Sequence, residues 1–369
     1  MKVFDEQQRY WIWLNSVNGI GPVTFYALIA QFEDAKNVWD AVKTNNPLLN
    51  HLPHSKKNAL LKYGSEDYID DVFEKCERKG IVPVTMLDDN YPDNLKEIVS
   101  APPTIYIKGN IDDLAGKVIA IVGTRNCSSR GFEYVKEIAY DLAKSGVHIV
   151  SGMARGIDSA AAMGALKAGM PTYAVMGCGA DVIYPPENAK IYQEICDNGA
   201  IISEYLPGVP PLSGNFPSRN RIISGLSKGV LIVESSFKSG ASITMNYAAE
   251  QSRDVMAVPG VPYDSKSQLP NSIIRDGGLL VTCANDILNE YKWAKSAKNR
   301  EKSKKINLEL DFFQEQLYNL LLQGEMSIEE IEQKADIDQV TILSSLMVLE
   351  LKGIINKNPG NIYSLKYII

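Results

Sequence analysis

The sequence predicts an α/β protein whose largest part is a doubly wound, mostly parallel sheet. Between residues 115 and 289, apolar runs of strand length alternate with segments of helix length. These runs are continuous in Val and Ile, which is typical of strands covered on both faces, and helical crossovers between such strands indicate a parallel sheet. The length of 369 residues exceeds what one core normally organises, so two or three domains are expected.

Residues 1–80 are predicted to form a helical domain of the SAM-like or helix-hairpin-helix-like kind. Apolar residues recur at helical spacing in three segments, DEQQRYWIWLNSV, GIGPVTFYALIAQF and DAKNVWDAV. The turn VNGIGP, residues 17–22, resembles a helix-hairpin-helix turn, whose free backbone N–H groups can hold a phosphate. A plain helical turn explains the same residues equally well.

Residues 81–291 contain the sheet and are typical of an extended Rossmann-like domain. The predicted strands, in chain order, are KVIAIVG, VHIVSG, PTYAVMG, AIISE, GVLIVES, DVMAVPG and GLLVT. An earlier run, TIYIKG at residues 104–109, is predicted to add an edge strand.

Charge distinguishes the last two segments. Residues 292–306 are predicted to be a basic linker, because Lys292 to Lys305 include seven basic residues and one acid. Residues 307–369 have ten acids and four bases, and three predicted helices followed by a hairpin indicate a winged-helix domain. The acidity of this domain favours contact with a protein or with the N-terminal domain over reading of duplex DNA.

The composition argues against several classes of protein. No apolar run reaches the ~18–20 residues of a membrane span, and the first residues lack a signal-peptide pattern, so a cytoplasmic protein is expected. The five cysteines are scattered and only three histidines occur, so neither a disulfide framework nor a metal site is expected. No G-x-G-x-x-G follows the first strand and no phosphate-binding P-loop occurs, so no cofactor is expected.

The candidate binding residues follow the predicted strands. In an open parallel sheet, ligands bind beyond the carboxyl ends of the strands, and glycines there let a ligand approach the backbone near helix N-termini. Glycines and helix N-termini at one rim predict a phosphate site. The alternative is that the glycines serve only the tight turns between strands and helices, which need glycine whether or not a ligand binds. The residues are Gly123, Thr124, Arg125, Gly152, Gly177, Gly179, Ser239 and Gly240.

The segment NFPSRNRIISG, residues 215–225, adds an aromatic ring and two guanidinium groups. The planar forks of Arg219 and Arg221 match phosphate oxygens, and Phe216 offers a face on which a base can stack. The alternative is that the arginines form structural ion pairs with Glu204 or Glu234. Those two carboxylates, both at strand ends, are also candidates for a catalytic pair.

These motifs resemble the DNA-processing protein A family, also called DprA or Smf. They recur in the family's order as IVGTR, SGMARGIDSAAAMGAL, YAVMGCGADVIYPPEN, ISEYLPG, NFPSRNRIISGLS, VLIVESSFKSGASITMNYAAEQSRDVMAVPG and NSIIRDGG. The resemblance implies a protein that binds single-stranded DNA and is not an enzyme. It also implies a homodimer that protects incoming DNA in natural transformation and loads the RecA recombinase in place of single-strand binding protein.

The resemblance also implies the DNA-binding residues. They are Gly123, Thr124, Arg125, the two glycines of GCG (Gly177 and Gly179), Phe216, Arg219, Asn220 and Arg221. The chain departs from many members at two positions: Ala162 stands where they have histidine, and Pro186 where they have a basic residue. At the second position, the alternatives are that one phosphate contact is lost or that Lys190 replaces it. The alternative function is that of a nucleotide phosphoribohydrolase-like enzyme using Glu204 or Glu234, although its PGGxGT turn does not occur in the sequence.

Overall fold

A computed structural model describes residues 4–111, 114, 116–293, 310–322, 324–335, 337–352, 354–358 and 360–365. The chain divides into two compact units, Met1–Lys295 and Ser296–Ile369, and each is described by itself. The predicted basic linker, except for its first two residues, lies outside the described residues. No helix in the described ranges is both long and apolar enough to cross a membrane.

The first unit begins with five helices around an aromatic core. Asp5 starts the first helix with a capping box, and the proline of the GIGP turn occupies the first position of the second helix. The rings of Trp13 and Trp39 meet edge to face at 4.8 Å between centroids, and Trp13 is fully buried. The helices are α1 (Glu6–Ser16), α2 (Pro22–Phe32), α3 (Ala35–Lys43), α4 (His54–Lys62) and α5 (Glu66–Arg78).

These helices pack against one edge of the sheet. The indole N–H of Trp11 donates to the carbonyl of Pro103 at 2.8 Å, and both groups are buried. The side-chain amide of Gln8 donates to Asp88 at 2.8 Å. Because these hydrogen bonds join helix α1 to the segments that flank the antiparallel strands, the helices and the sheet form one unit.

A nine-stranded, mostly parallel sheet forms the centre of this unit and confirms the predicted fold class. Its spatial order is β1-β2-β6-β5-β4-β3-β7-β8-β9. All pairs from β6 across to β9 are parallel. The strands are β1 (Val82–Thr85), β2 (Thr104–Gly109), β3 (Val118–Gly123), β4 (His148–Ser151), β5 (Thr172–Met176), β6 (Gly199–Ser203), β7 (Gly229–Val233), β8 (Asp254–Ala257) and β9 (Leu279–Leu280).

The edge assignment of TIYIKG was wrong. This run forms β2, which pairs antiparallel with β1 on one side and with β6 on the other. The true edge is the four-residue strand β1, VPVT, which sequence analysis missed. Its proline is typical of edge strands, where a missing N–H costs no ladder hydrogen bond.

Helices cover both faces of the sheet. One face packs against α7 (Ser129–Lys144), α8 (Ile157–Lys167), α9 (Ala189–Asn198) and α13 (Ala284–Glu290). The other face packs against α6 (Asp93–Lys96), α10 (Asn215–Leu226), α11 (Gly240–Glu250) and α12 (Gln268–Arg275). Strand order reverses at β3, whose neighbours are β4 and β7. The carboxyl end of β3 is therefore where a doubly wound sheet opens a crevice.

The second unit is small and has its own core. Its elements are α14 (Phe312–Leu321), β10 (Met326–Ser327), α15 (Ile328–Lys334), α16 (Gln339–Leu351), β11 (Ile355–Asn358) and β12 (Ile362–Leu365). The strands form an antiparallel sheet in the order β10-β12-β11. The unit contains the three helices and the hairpin expected from the sequence, with the short strand β10 added, and the winged-helix assignment stays a prediction.

Candidate functional site

A cleft of about 580 Å³ opens beyond the carboxyl ends of the parallel strands. Eight of the predicted site residues line this cleft: Gly123, Thr124, Arg125, Phe216, Arg219, Asn220, Ser239 and Gly240. A small recess of about 40 Å³ adjoins it and adds Gly152. The loops after β3, β4, β5, β6 and β7 all contribute to the two walls, so the topology brings together residues far apart in the chain.

Arg219 lies at the floor of the cleft and is only 5% exposed. One terminal nitrogen, Nη1, donates to the carbonyl of Gly152 at 2.9 Å and also to the carbonyl of Val175. Its Nε–H has no hydrogen-bond partner among the residues that the structure describes. Burial lowers the pKa of the guanidinium to about 10, with the nearby carboxylate of Asp158 opposing the shift, so Arg219 keeps its positive charge at neutral pH.

Asp158 lies beside this guanidinium and is also buried. Its Oδ2 accepts the backbone N–H groups of Gly152 at 3.0 Å and Ala154 at 3.3 Å. Burial raises the pKa of this carboxyl group, and the charge of Arg219 opposes the rise. The carboxylate therefore holds the loop after β4 against the arginine, and sequence analysis did not include it in the site.

Arg125 is the exposed cation of the cleft. It follows β3 by two residues, as the sequence predicted, and it lines both the cleft and the adjoining recess. Opposite β3, helix α11 begins at Gly240, with Ser239 as its cap. The side-chain amide of Asn220 donates to the carbonyl of Gly240 at 3.1 Å and so joins the middle of α10 to the start of α11.

Two aromatic rings share the wall of the cleft. The centroids of Tyr184 and Phe216 lie 5.3 Å apart, and both side chains are half-buried. The guanidinium carbon of Arg219 lies 5.9 Å from the centroid of Phe216. Tyr184 was not among the predicted site residues. The signal that points to it is the Tyr-Pro-Pro at the end of the YAVMGCGADVIYPPEN motif.

Arg221 does not line the cleft, and its geometry matches the ion-pair alternative. Its two terminal nitrogens donate to the two carboxylate oxygens of Glu204 at 2.9 and 2.6 Å. Its Nε donates to the carbonyl of Ser100 at 3.2 Å. With 8% of the residue exposed, the guanidinium faces the antiparallel side of the domain and not the opening.

Three further predicted residues also lie outside the lining. Gly177 and Gly179 are explained by packing, because a Cβ there would come within 2.9 Å of the Phe216 ring and 2.7 Å of the Leu206 carbonyl. Lys190 is on the surface of α9, where its side chain is 91% exposed and 3.9 Å from Glu194. Ala162 is buried, and neither Ala162 nor Pro186 lines the cleft.

The carboxylates proposed for catalysis are engaged elsewhere. Glu204 holds Arg221, and Glu234 accepts the backbone N–H of Ser128 at 2.7 Å and also its hydroxyl. Neither residue lines the cleft. The described residues also hold no group of three or more His, Cys, Asp or Glu placed to bind a metal ion.

Comparison with known proteins assigns this architecture to a family. The family model of DNA recombination-mediator protein A matches residues 83–292, which contain the sheet and the cleft. Protein Smf of Synechocystis is 36% identical over 77% of this chain and 72% of its own length. DNA processing protein DprA of Streptococcus pneumoniae is 42% identical over 61% of this chain and 79% of its own length.

Solved structures agree with the sequence comparison. The X-ray structure of DprA from Streptococcus pneumoniae matches with a TM-score of 0.68 at 33% identity, over 79% of this chain and 99% of that chain. A structure of DprA from Helicobacter pylori, described for its single-stranded DNA binding mode, matches with a TM-score of 0.53 at 29% identity, over 57% of this chain and 95% of that chain. The chain therefore belongs to the DNA recombination-mediator protein A family, as the motifs of its sequence had indicated.

Proposed function

We propose that this chain binds single-stranded DNA in the cleft without reading its base sequence. The observation that carries the proposal is the presence, in one opening, of an exposed guanidinium and two half-exposed rings, those of Arg125, Phe216 and Tyr184. These groups match the phosphate and the base of a nucleotide. The Helicobacter pylori relative described for its single-stranded DNA binding mode supports the same conclusion.

The two arginines of the cleft have different roles in this proposal. Arg125 is free to follow the backbone and makes the phosphate contact at the mouth. Arg219 is held by carbonyl groups and supplies a fixed positive charge at the floor. The N-terminus of α11 adds the positive end of a helix dipole to the same space. Because none of these groups reads a base edge, the binding is tolerant of sequence.

The rings select an unpaired strand. A base in a duplex has both faces covered by the neighbouring bases. An aromatic side chain that is half-buried in the wall of the cleft can therefore stack only on a base that is not stacked in a duplex. Phe216 and Tyr184 are recessed in this way. The preference for single strands therefore follows from access and does not require a specific contact with the sugar.

We also propose that the bound strand is passed to a RecA recombinase, and that the protein protects incoming DNA in natural transformation. The family description as a recombination mediator supports this role. The chain has a formal charge of −6, which limits the affinity of one protomer for a polyanion. A cytoplasmic homodimer that engages one strand twice would offset this limit through avidity. In this role the protein binds DNA and does not catalyse a reaction.

Replacing Arg125 with alanine tests the phosphate contact. We expect the affinity for oligothymidine to fall about tenfold, the value of one hydrogen bond to a charged group. Oligonucleotides of other sequences should lose the same factor, and the salt dependence of log K should decrease by about 0.7. Fluorescence anisotropy titrations measure both. The matched control is Lys228→Ala, an exposed cation just before β7 at the opposite rim of the sheet. Equal affinities for the two variants would refute the assignment.

Replacing Phe216 with leucine tests base stacking. The loss should be about 1–3 kcal/mol of binding free energy, while the salt dependence stays the same because no phosphate contact is lost. The same titrations at several salt concentrations separate this result from that of Arg125→Ala. Tyr263→Leu is the control, since that ring is 99% exposed and does not line the cleft. If Phe216→Leu bound oligothymidine with the affinity of the control, the proposed stacking of a base on Phe216 would be wrong.

The pair of Arg221 and Glu204 decides between a structural role and DNA contact. We expect Arg221→Gln and Glu204→Gln each to lower the free energy of unfolding by about 3 kcal/mol, because each leaves a buried charge without its partner. Urea titrations followed by circular dichroism measure this loss. Under conditions where both variants are folded, their affinities for oligothymidine should agree with the unchanged protein. Weaker binding of oligothymidine by Arg221→Gln, but not by Glu204→Gln, would show that Arg221 contacts DNA.

Transfer to RecA is tested on oligothymidine coated with fluorescent single-strand binding protein. Addition of RecA with this chain should displace the label faster than RecA alone, because the chain occupies the strand first and releases it to the filament. Arg125→Ala should remove the acceleration at the same protein concentration. A chain that binds the oligonucleotide but leaves the displacement rate unchanged would contradict the proposed transfer and leave DNA binding intact.

A further inference from the structure

We propose that the N-terminal helices carry a second site, for the phosphodiester backbone of a nucleic acid. It lies in an open cleft of about 460 Å³ between the turn that joins α1 to α2 and one face of α4. Asn18 and Gly19 line it from the turn, and Lys56, Lys62 and Tyr63 line it from α4. These residues belong to other elements than the cleft at the strand ends, so the inference goes beyond the function proposed above and does not depend on it.

The positive charge of this surface is uncompensated. Helix α4 has the sequence HSKKNALLK, with three lysines and no acid. No carboxylate of the described residues lies within 4.0 Å of their ammonium groups, whereas Lys36 in the same group of helices is 3.0 Å from Asp40. Lys56 donates to the hydroxyl of Thr24 at 2.6 Å, and Lys57 to Asn50 at 2.7 Å. Such a surface attracts an anion from outside the chain.

The ammonium group of Lys56 lies near the positive end of a helix dipole, which disfavours a cation unless an anion binds between the two. Its hydroxyl partner, Thr24, is the third residue of α2, so the ammonium group is beside the helix N-terminus. The first-turn N–H groups of a helix have no intrahelical acceptors and carry about half a positive charge together. A phosphate between the ammonium group and these N–H groups would be attracted by both, which turns a repulsion into a binding site.

The backbone of the turn leaves room for such a group. Gly19 has φ +87°, a conformation that favours glycine. A Cβ built at Gly19 or at Gly21 would meet no atom within 4 Å, so the turn faces open space on this side. The backbone conformation accounts for Gly19, and packing among the described residues does not require glycine at Gly21. Their positions permit the close approach of an external group to the backbone.

The chemistry favours a nucleic acid backbone over a single small anion. The cleft is wide and open, and Lys56 and Lys62 extend the positive charge along nearly two turns of α4. A strand with a charge at every nucleotide can contact both of these cations together, and a free phosphate ion cannot. Lysines and turn N–H groups contact the backbone and not the base edges, so this site should also tolerate any sequence.

The test compares lysines of one helix in the full-length chain. Lys56→Gln/Lys62→Gln removes the two cations that line the cleft, and Lys57→Gln is the matched control because Lys57 does not line it. Anisotropy titrations use a 40-nucleotide oligothymidine and a 40-base-pair duplex, each at several salt concentrations. We expect the double variant to bind oligothymidine about fivefold more weakly, with a salt slope lower by about 1.4 for two lost contacts. The control should match the unchanged protein.

Further variants keep the outcome decisive. Lys62 is exposed, so Lys62→Gln alone cannot disturb the fold and should show about half of the change in salt slope. Combined with Arg125→Ala, the double lysine variant should lose affinity additively, as two independent contacts require. Identical binding by the double variant and the Lys57→Gln control would overturn the second site. If Arg125→Ala still lost affinity in that experiment, the function proposed for the strand-end cleft would stand.

A competition arm distinguishes the nucleic acid from free phosphate. Inorganic phosphate and chloride are compared at equal ionic strength in titrations of oligothymidine. Equal affinities in the two salts would support a site built for a polymer backbone. If phosphate abolished the difference between the double variant and its control, the site would be one for a small anion and the assignment to nucleic acid would be overturned.

Discussion

The buried guanidinium of Arg219 is the interaction on which the cleft depends. Its hydrogen bonds join the loop after β4 to the end of β5 through the carbonyls of Gly152 and Val175. Beside it, Asp158 accepts two N–H groups of the same β4 loop. A buried charge is costly unless it is paired, and the two carbonyl contacts and the nearby carboxylate offset that cost for Arg219. These contacts join the β4 loop, the end of β5 and α10 into one floor below the exposed groups at the mouth.

The two arginines of the NFPSRNRIISG segment show how a helix directs side chains that are close in sequence to opposite sides. Both lie on α10 and are two positions apart, which corresponds to a rotation of about 200° around the helix axis. They cannot both face one opening. Arg219 points to the strand ends, and Arg221 points to the opposite side, where Glu204 takes both of its terminal nitrogens. The same pairing engages both carboxylate oxygens of Glu204 outside the cleft.

The glycines at the strand ends also divide into two groups. Gly240 lines the cleft and has open space beside it, whereas Gly177 and Gly179 leave room for the Phe216 ring and for the Leu206 carbonyl. Gly123 does both, because it lines the cleft and leaves room for the Val233 carbonyl. Both groups follow from the doubly wound sheet, in which tight turns and a ligand crevice occur at the same rim. Gly19 in the helical region resembles Gly240, because no atom of the described residues lies within 4 Å of a Cβ added at either position.

The sequence by itself determined the parallel sheet, because continuous apolar runs between helical segments have few other solutions. It also determined the rim at which the site lies and the family, which the spaced motifs carry. Tertiary structure decided which strand lies at the edge. The outer partner of TIYIKG is β1, a four-residue strand whose sequence pattern is too short to predict a strand. Tertiary structure also decided which side chains face the cleft. Arg221, Lys190 and Tyr184 have suitable chemistry, but direction and burial depend on packing between elements that are distant in the chain.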